Sequence, residues 1–429
     1  MVGKLGNLLG NEELIKSLKA LSLRISGIAV FFLCTLFLTN YFDPVLVGQY
    51  EFTRSILSVL GGFVTLGMEH SILYFVGYLA SEKRTNELYD IYRKMMLAIF
   101  SISAILVIIF LCLPKIWFYS FFEDETSYNL IIKCICILFF YCWTILNTEY
   151  FRAHDMIFTS EIFRGLAKYG LIFLIILILY SQDLNEHLVD AYLSSFVLLA
   201  IITWYFLYKV QPVSSTKTNF RLKTIVRKSI PMAISSLGFF LLLTIDIIFL
   251  KRFHSYQAIA YYAVAIKLIL IVSMVLNTIN SIYSPQLAEF FATSDKVALN
   301  KIIRTSSRLI FLLTLPALIL LFIFSGQILS LFGQDYIMAQ NALLILMVGH
   351  FFSTLCGING IYLNMTGRQS IFRNIMVLTI LINLILNFIL IPEFGIEGAA
   401  IASSICVVFW NVLALITAYR LDKIILAIH

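Results

Sequence analysis

The chain has 429 residues, of which 60% are hydrophobic and only 13% charged, and its mean hydropathy is +0.93. Soluble domains carry about 25% charged residues, so a water-soluble fold is excluded. The net charge of +7 gathers in loops that would face an anionic lipid leaflet, and it gives no argument for a nucleic-acid partner.

Residues 1–20 hold Glu12, Glu13, Lys16 and Lys19 among leucines and lack a small-residue cleavage site. They read as a short amphipathic helix on the membrane surface rather than a cleavable signal. A spanning helix takes about 20 apolar residues. Runs near 21–42, 50–79, 94–113, 129–147, 159–180, 188–208, 230–250, 258–285, 307–325, 339–363, 374–391 and 397–418 meet that length, predicting about twelve spans. Of the 31 lysines and arginines, 25 fall at the termini and in every second loop. Only Lys115, Lys133, Lys251 and Arg252 lie on the opposite side. The positive-inside rule therefore places both termini, and the basic connection 209–228 with Lys217, in the cytoplasm.

No connection is long enough to build an extramembrane catalytic domain, and no Gly-rich phosphate loop ending in Lys-Ser/Thr occurs. The six histidines show no metal-type pairing, and the seven cysteines sit mostly inside spans, as small apolar residues do. Catalysis, a metal and a cofactor are therefore not expected.

The basic central connection divides the chain into two parts of similar size, 1–210 and 211–429. FDPVLVGQY (42–50) and HSYQAIAYY (254–262) hold equivalent places in the two, a weak match that suits six-span lobes arranged as parallel repeats.

Function is sought at intramembrane polar residues, because a charge at the bilayer centre costs about 2.5–3.5 kcal/mol on insertion scales. In the second span Arg54, Ser58, Gly61, Gly62, Thr65 and Glu69 share a narrow arc at helical spacing, as expected of a face lining a polar cavity. Close packing of the glycines, with Arg54 reaching back to the interface, is the alternative. Lys267 lies about ten residues into the eighth span, too deep for easy snorkelling, and needs a carboxylate or an anionic ligand. Asp246 in the seventh span is its candidate ion-pair partner, or else a site of ion coupling. Arg24 marks the inner end of the first span. Asn383 and Asn387 form an i,i+4 pair suited to interhelical hydrogen bonds worth about 0.6 kcal/mol each. Pro231 fits the first turn of a helix, whereas Pro285 and Pro316 should kink or end theirs.

Several segments resemble the polysaccharide-exporter branch of the multidrug/oligosaccharidyl-lipid/polysaccharide (MOP) transporter superfamily, and most closely Wzx-type O-antigen flippases. They are DPVLVGQYEF (43–52), GMEHSILYF (67–75), IDIIFL (245–250), AYYAVAIKL (260–268), SPQLAEF (284–290), GQDYIMA (333–339) and NLILNFILIPEFGIEGAAIAS (383–403). These motifs run through nearly the whole chain in the family's order, but they are short and mainly structural, so they point to the superfamily better than to a cargo.

The resemblance implies an all-α polytopic membrane protein of about twelve transmembrane helices, in two six-helix lobes around a V-shaped, alternately opening cavity. Its substrate would be a polyprenyl-pyrophosphate-linked oligosaccharide, such as an O-antigen repeat unit, turned across a bacterial inner membrane. Membrane lipids and a glycan polymerase would be partners of a monomeric transporter. The related lipid II flippases carry cavity cations on their first, second and eighth helices, where Arg24, Arg54 and Lys267 stand here. Ser58, Thr65 and Glu69 would meet the sugar. A MATE-type drug/cation antiporter is the alternative, and a membrane glycosyltransferase or polymerase a more distant one.

Overall fold

The computed structural model describes residues 12–210, 218, 220–424 and 426. Lys4 and the first half of the expected amphipathic start, together with Lys217 and His429, lie outside the described residues. Regular structure among the described residues is helical throughout: α1 (Glu12–Tyr41), α2 (Pro44–Thr65), α3 (Met68–Ser81), α4 (Leu88–Cys112), α5 (Lys115–Phe122), α6 (Glu125–Ala153), α7 (Ile157–Glu161), α8 (Ala167–Ser181), α9 (Leu188–Val210), α10 (Leu222–Phe253), α11 (Tyr256–Ala292), α12 (Lys296–Ile323), α13 (Ser325–Ser330), α14 (Gln340–Cys356), α15 (Asn359–Met365) and α16 (Gln369–Asp422). Short 3-10 or π turns join some of them.

Among the described residues, ten helical segments are long and apolar enough to cross a membrane. One of these, α16, is 54 residues long and consists of two helices joined at Gly395, whose φ of 55° and ψ of −128° are not helical. The 32-residue α10 adds another helix of spanning length. Together they reconcile ten segments with about twelve spans, and the chain is a multi-pass, all-α membrane protein.

Local chemistry sets the helix starts and breaks. Asp43 caps α2 by accepting the Val45 N–H at 2.7 Å, and Pro44 occupies the first helical position, where a missing N–H is harmless. Asp124 caps α6 and Asp295 caps α12 in the same way. The second span is not one helix. Leu66 (φ 46°) and Gly67 (φ 75°) are both left-handed and separate α2 from α3. A Cβ on Gly67 would stand 2.5 Å from the Ala233 amide nitrogen, so glycine meets both the backbone sign and the close approach. One proline expectation changes, and another is narrowed to its kink. Pro231 is not in a first turn, because α10 begins at Leu222 and takes in the basic residues ahead of it. Pro285 and Pro316 end nothing, since α11 and α12 run past both.

The helices form two compact units. Unit 1 comprises residues 1–46 and 56–237, and unit 2 comprises Val47–Ser55 and 238–429. In unit 1 a buried polar chain links three helices: Trp143 Nε1 donates to Tyr92 Oη, Tyr92 donates to Asn147 Oδ1 at 2.5 Å, and Asn147 Nδ2 donates to Thr203 Oγ1 at 2.9 Å. Each such bond satisfies a group that would otherwise be costly in an apolar interior. Unit 2 has an aliphatic core around Leu299, Ile303, Tyr362, Phe372 and Ala414. Leu426 joins it, with its carbonyl accepting from Ser307 Oγ at 2.9 Å.

Candidate functional site

The most concentrated charge in unit 2 is a triad on Glu51. This carboxylate, 1% exposed, binds Lys267 Nζ through Oε1 and Arg54 through Oε2, with Arg54 Nε at 2.8 Å and Nη2 at 2.7 Å. Glu51 and Arg54 are one helical turn apart on α2, and Lys267 comes from α11. Gly48 makes the meeting possible, since a Cβ there would fall 1.8 Å from the Tyr256 carbonyl oxygen at the start of α11. Without a side chain, α2 lies directly against that turn. Two cations share one carboxylate, so the triad carries a formal excess of one positive charge. Lys267 is only 2% exposed, whereas the Arg54 side chain is 27% exposed. The reachable part of the excess charge is therefore on Arg54.

Asp246 takes no part in this triad. It is 1% exposed and held by neutral donors: Tyr262 Oη to Oδ2 at 2.7 Å, Asn387 Nδ2 to Oδ1 at 2.7 Å, and Ser403 Oγ to Oδ2. Asn387 also donates to Asn383 Oδ1 at 3.1 Å within α16, and its bond to Asp246 on α10 is the interhelical one that the spacing of the pair suggests. The expected Lys267–Asp246 ion pair is corrected by this geometry. Glu51 reaches the lysine from α2, while Asp246 has its oxygens taken up by hydroxyl and amide donors.

Unit 1 has its own ionic cluster. Arg24 grips Glu161 with two bonds, at 2.7 and 3.2 Å, and remains 48% exposed. Arg164 binds Glu149 and stands 4.0 Å from Glu161. A π turn at Ile162–Leu166 interrupts this span. Beside it Gly27 and Gly165 approach so closely that a Cβ on Gly27 would lie 2.8 Å from the Gly165 Cα.

Of the polar stripe expected on the second span, Arg54, Ser58, Gly61, Gly62 and Thr65 share the single helix α2, and Glu69 does not. Thr65 is buried and bonds back to the Gly62 carbonyl at 3.4 Å. Gly61 is a packing site, since a Cβ would meet Tyr141 at 2.4 Å. Glu69 sits in α3, past the break, so the arc drawn on an unbroken helix stops at Leu66. Its Oε2 is buried without a hydrogen-bond partner.

Sequence reasoning passed over Glu51, Glu161 and Glu149, having weighed intramembrane cations before acids. Glu51 was legible as an acid three residues before Arg54, the spacing at which helical charges meet.

The family model described as polysaccharide biosynthesis protein matches residues 19–291, and the MatE model matches 231–389. The probable low-salt glycan biosynthesis flippase Agl15 of Haloferax volcanii is 26% identical over 173 residues, 40% of this chain and 37% of that protein. The capsular polysaccharide biosynthesis protein CapF of Staphylococcus aureus is 25% identical over 261 residues, 59% of this chain and 64% of that protein. The chain thus spans less than two thirds of the length of either relative. Among solved structures, the lipid II flippase MurJ in an inward closed conformation superposes with a TM-score of 0.70 at 14% identity, covering 94% of this chain and 87% of that one. At that identity the likeness shows the fold.

Proposed function

The chain belongs to the polysaccharide biosynthesis protein family, and from that premise we propose that it is a flippase for polyprenyl-pyrophosphate-linked oligosaccharide. It moves an O-antigen-like unit from the cytoplasmic to the outer leaflet of a bacterial inner membrane by alternating access, with the two units as the moving lobes and both termini cytoplasmic. The names of Agl15 and CapF support a glycan-related cargo. The observation that carries the reading is the Glu51 triad, two cations gathered on one buried carboxylate with Arg54 as its more exposed member.

A pyrophosphate brings about two negative charges, and its attraction to a guanidinium grows as the local dielectric falls. Arg54 offers a planar fork that matches phosphate oxygens. Glu51 and Lys267 hold that fork in place, and the incoming phosphates compete with Glu51 for it. Arg24, near the start of the apolar part of α1, offers a second exposed guanidinium for the headgroup. Ser58 offers a hydroxyl to the sugar and Glu69 a carboxylate to the substrate, while buried Thr65 would have to turn from the Gly62 carbonyl to add its own hydroxyl. Asp246, a lone carboxylate among neutral hydroxyl and amide groups, takes the coupling cation, whose entry turns those donors away. Catalysis has no place in this scheme, the working unit is a monomer, and a glycan polymerase would receive the product.

The test is deletion. Cells lacking the protein should accumulate the lipid-linked unit on the cytoplasmic leaflet and lose the surface glycan. If they fail to make the lipid-linked unit at all, the flippase reading falls and an enzymatic role replaces it. Preference of the purified protein for a cationic dye over lipid-linked glycan would favour the antiporter alternative.

A further inference from the structure

Unit 2 encloses a cavity of about 460 Å³ whose lining includes none of the triad. Its two ends differ. Asp246 and Tyr262 stand at one, with Asn387 bonded to Asp246 from α16. Fifteen residues further along α11, about 22 Å at the helical rise, comes Asn277, and Phe372 precedes Asn387 on α16 by the same distance. Asn277, Asn280, Asn364, Phe372 and Trp410 therefore form the end away from Asp246.

That end has the chemistry of a carbohydrate site. Phe372 and Trp410 meet edge to face, with ring centroids 6.0 Å apart at 76°. A Cβ on Gly360 would lie 3.1 Å from Phe372 Cζ and 3.5 Å from Trp410, so glycine keeps the space beside both rings open. Asn364, one helical turn on from Gly360 in α15, brings an amide to the same end. Asn280 is only 9% exposed, and its Oδ1 is buried without a hydrogen-bond partner among the described residues. A buried carbonyl oxygen of that kind is costly until a donor reaches it. An asparagine amide pairs a donor with an acceptor, which matches adjacent hydroxyls on a sugar ring. The negative face of an aromatic ring attracts the polarised C–H face of the same sugar. A lipid chain would leave the amides unsatisfied.

Charge narrows the choice. Asp246 is the one formally charged residue of the lining, and no lysine or arginine joins it. An acidic sugar would bring a carboxylate with no cation to pair it. Asn277 is exposed and gives this end its entrance. It follows Lys267 by ten residues, about 15 Å along α11, so one short oligosaccharide can reach from a headgroup on the triad into the cavity.

We propose that this end of the unit 2 cavity is a subsite for an uncharged sugar of the transported glycan, with Trp410 and Phe372 as its apolar wall and Asn280 and Asn364 as its hydrogen-bonding groups. The inference rests on the flippase reading and adds a selectivity to it: neutral sugars, N-acetylated ones included, are accepted there and uronic acids are not.

The experiment uses the full-length protein in lipid nanodiscs and defined probes. They are polyprenyl pyrophosphate without sugar, the same carrier bearing a trisaccharide of N-acetylhexosamines, and the same with a uronic acid as the terminal sugar. The neutral glycan should bind about tenfold more tightly than the bare carrier, and the acidic one should gain less than about threefold. Asn280→Leu with Trp410→Leu should erase the gain and leave bare-carrier affinity at the parental value, which also shows that the variant is folded. Asn364→Leu, at a half-exposed position, is the milder second variant and should lower the gain about threefold. Equal gains for the neutral and acidic glycans, or a gain that survives both variants, overturns the subsite. A parallel loss of bare-carrier and glycan affinity in Asn364→Leu overturns it too, because the cavity then holds the lipid chain. The underlying reading fails separately. If Arg54→Ala leaves bare-carrier affinity unchanged, the headgroup site is wrong, while the sugar-dependent gain stands or falls on its own.

Discussion

Glu51 and Lys267, 216 residues apart in the chain, meet as a buried ion pair in unit 2, and Arg54 binds the other oxygen of the same carboxylate. The arrangement is asymmetric, and the asymmetry is measurable. Removing one partner of a buried pair costs about 3–5 kcal/mol because the other charge is stranded. Glu51→Ala strands Lys267, which is almost fully enclosed. Lys267→Ala leaves Glu51 with Arg54 and should be milder. The double substitution should recover much of the loss. Thermal unfolding midpoints in detergent check the order; a loss in the pair equal to the sum of the two single losses would show no energetic coupling between the two.

Arg54 is the part of the triad that a ligand can reach. Arg54→Ala should reduce glycan export at least tenfold, which corresponds to about 1.4 kcal/mol of lost interaction, while the protein remains inserted and abundant. Arg54→Lys should restore only part of the export, since a point charge cannot reproduce the two-pronged contact. Export and membrane abundance measured on the same cells separate these effects. A fully active Arg54→Ala would remove the headgroup site from the triad.

The fold was legible because lipid imposes a simple code: length, apolarity and the side on which lysines fall. Which helix faces which was not legible, because tertiary partners such as Glu51 for Lys267 follow no local spacing. Asp246 is instructive. It is the acid closest to Lys267 in sequence among neighbouring spans, yet Tyr262, Asn387 and Ser403 enclose it instead. Glu69 leaves the polar stripe of the second span for a backbone reason. Two consecutive left-handed residues, Leu66 and Gly67, reset the helix, and of the pair only the glycine is a recognisable warning in sequence.

Gly67 and Gly48 make separate, testable contributions to packing. Gly67→Ala adds a side chain at positive φ, about 1–2 kcal/mol by itself, and drives it into the backbone near Ala233. Gly48→Ala pushes α2 off the start of α11 and should disturb the triad as well. Both variants should unfold at lower temperature than the parent. Gly48→Ala alone should lose export beyond what its reduced abundance accounts for. Gly77→Ala, with nothing within 4 Å of its added Cβ, is the control and should behave as the parent.

Asp246 should respond to charge rather than to size. Asp246→Asn preserves hydrogen-bonding capacity toward Tyr262 and Ser403, so abundance should stay near that of the parent while the dependence of export on the ion gradient disappears. Asp246→Ala removes the acceptor altogether and leaves those donors unsatisfied, at about 1–3 kcal/mol each, so it should also lower abundance. Export assayed with the sodium and proton gradients collapsed one at a time identifies the ion. Unchanged gradient dependence in Asp246→Asn would move the coupling site elsewhere.

Membrane orientation is the remaining expectation, and it follows from the basic residues. Lys223 and Arg227 lie on the first turns of α10, and Lys296 and Lys301 on those of α12, at ends that the positive-inside rule assigns to the cytoplasm. Asp183, Asp335 and Glu393 are exposed at the opposite ends of their helices: between α8 and α9, in the turn before α14, and beside the Gly395 kink of α16. Reporter fusions at these three acids should be active outside, and a fusion at Lys223 active only inside. The Gly395 position is the sharpest discriminator, because a 54-residue helix could be mistaken for one long element. If a fusion at Glu393 reports the cytoplasm, α16 does not double back across the membrane and the even span count fails. An active external fusion at Lys223 would invert the whole orientation, and with it the direction of transport proposed for the chain.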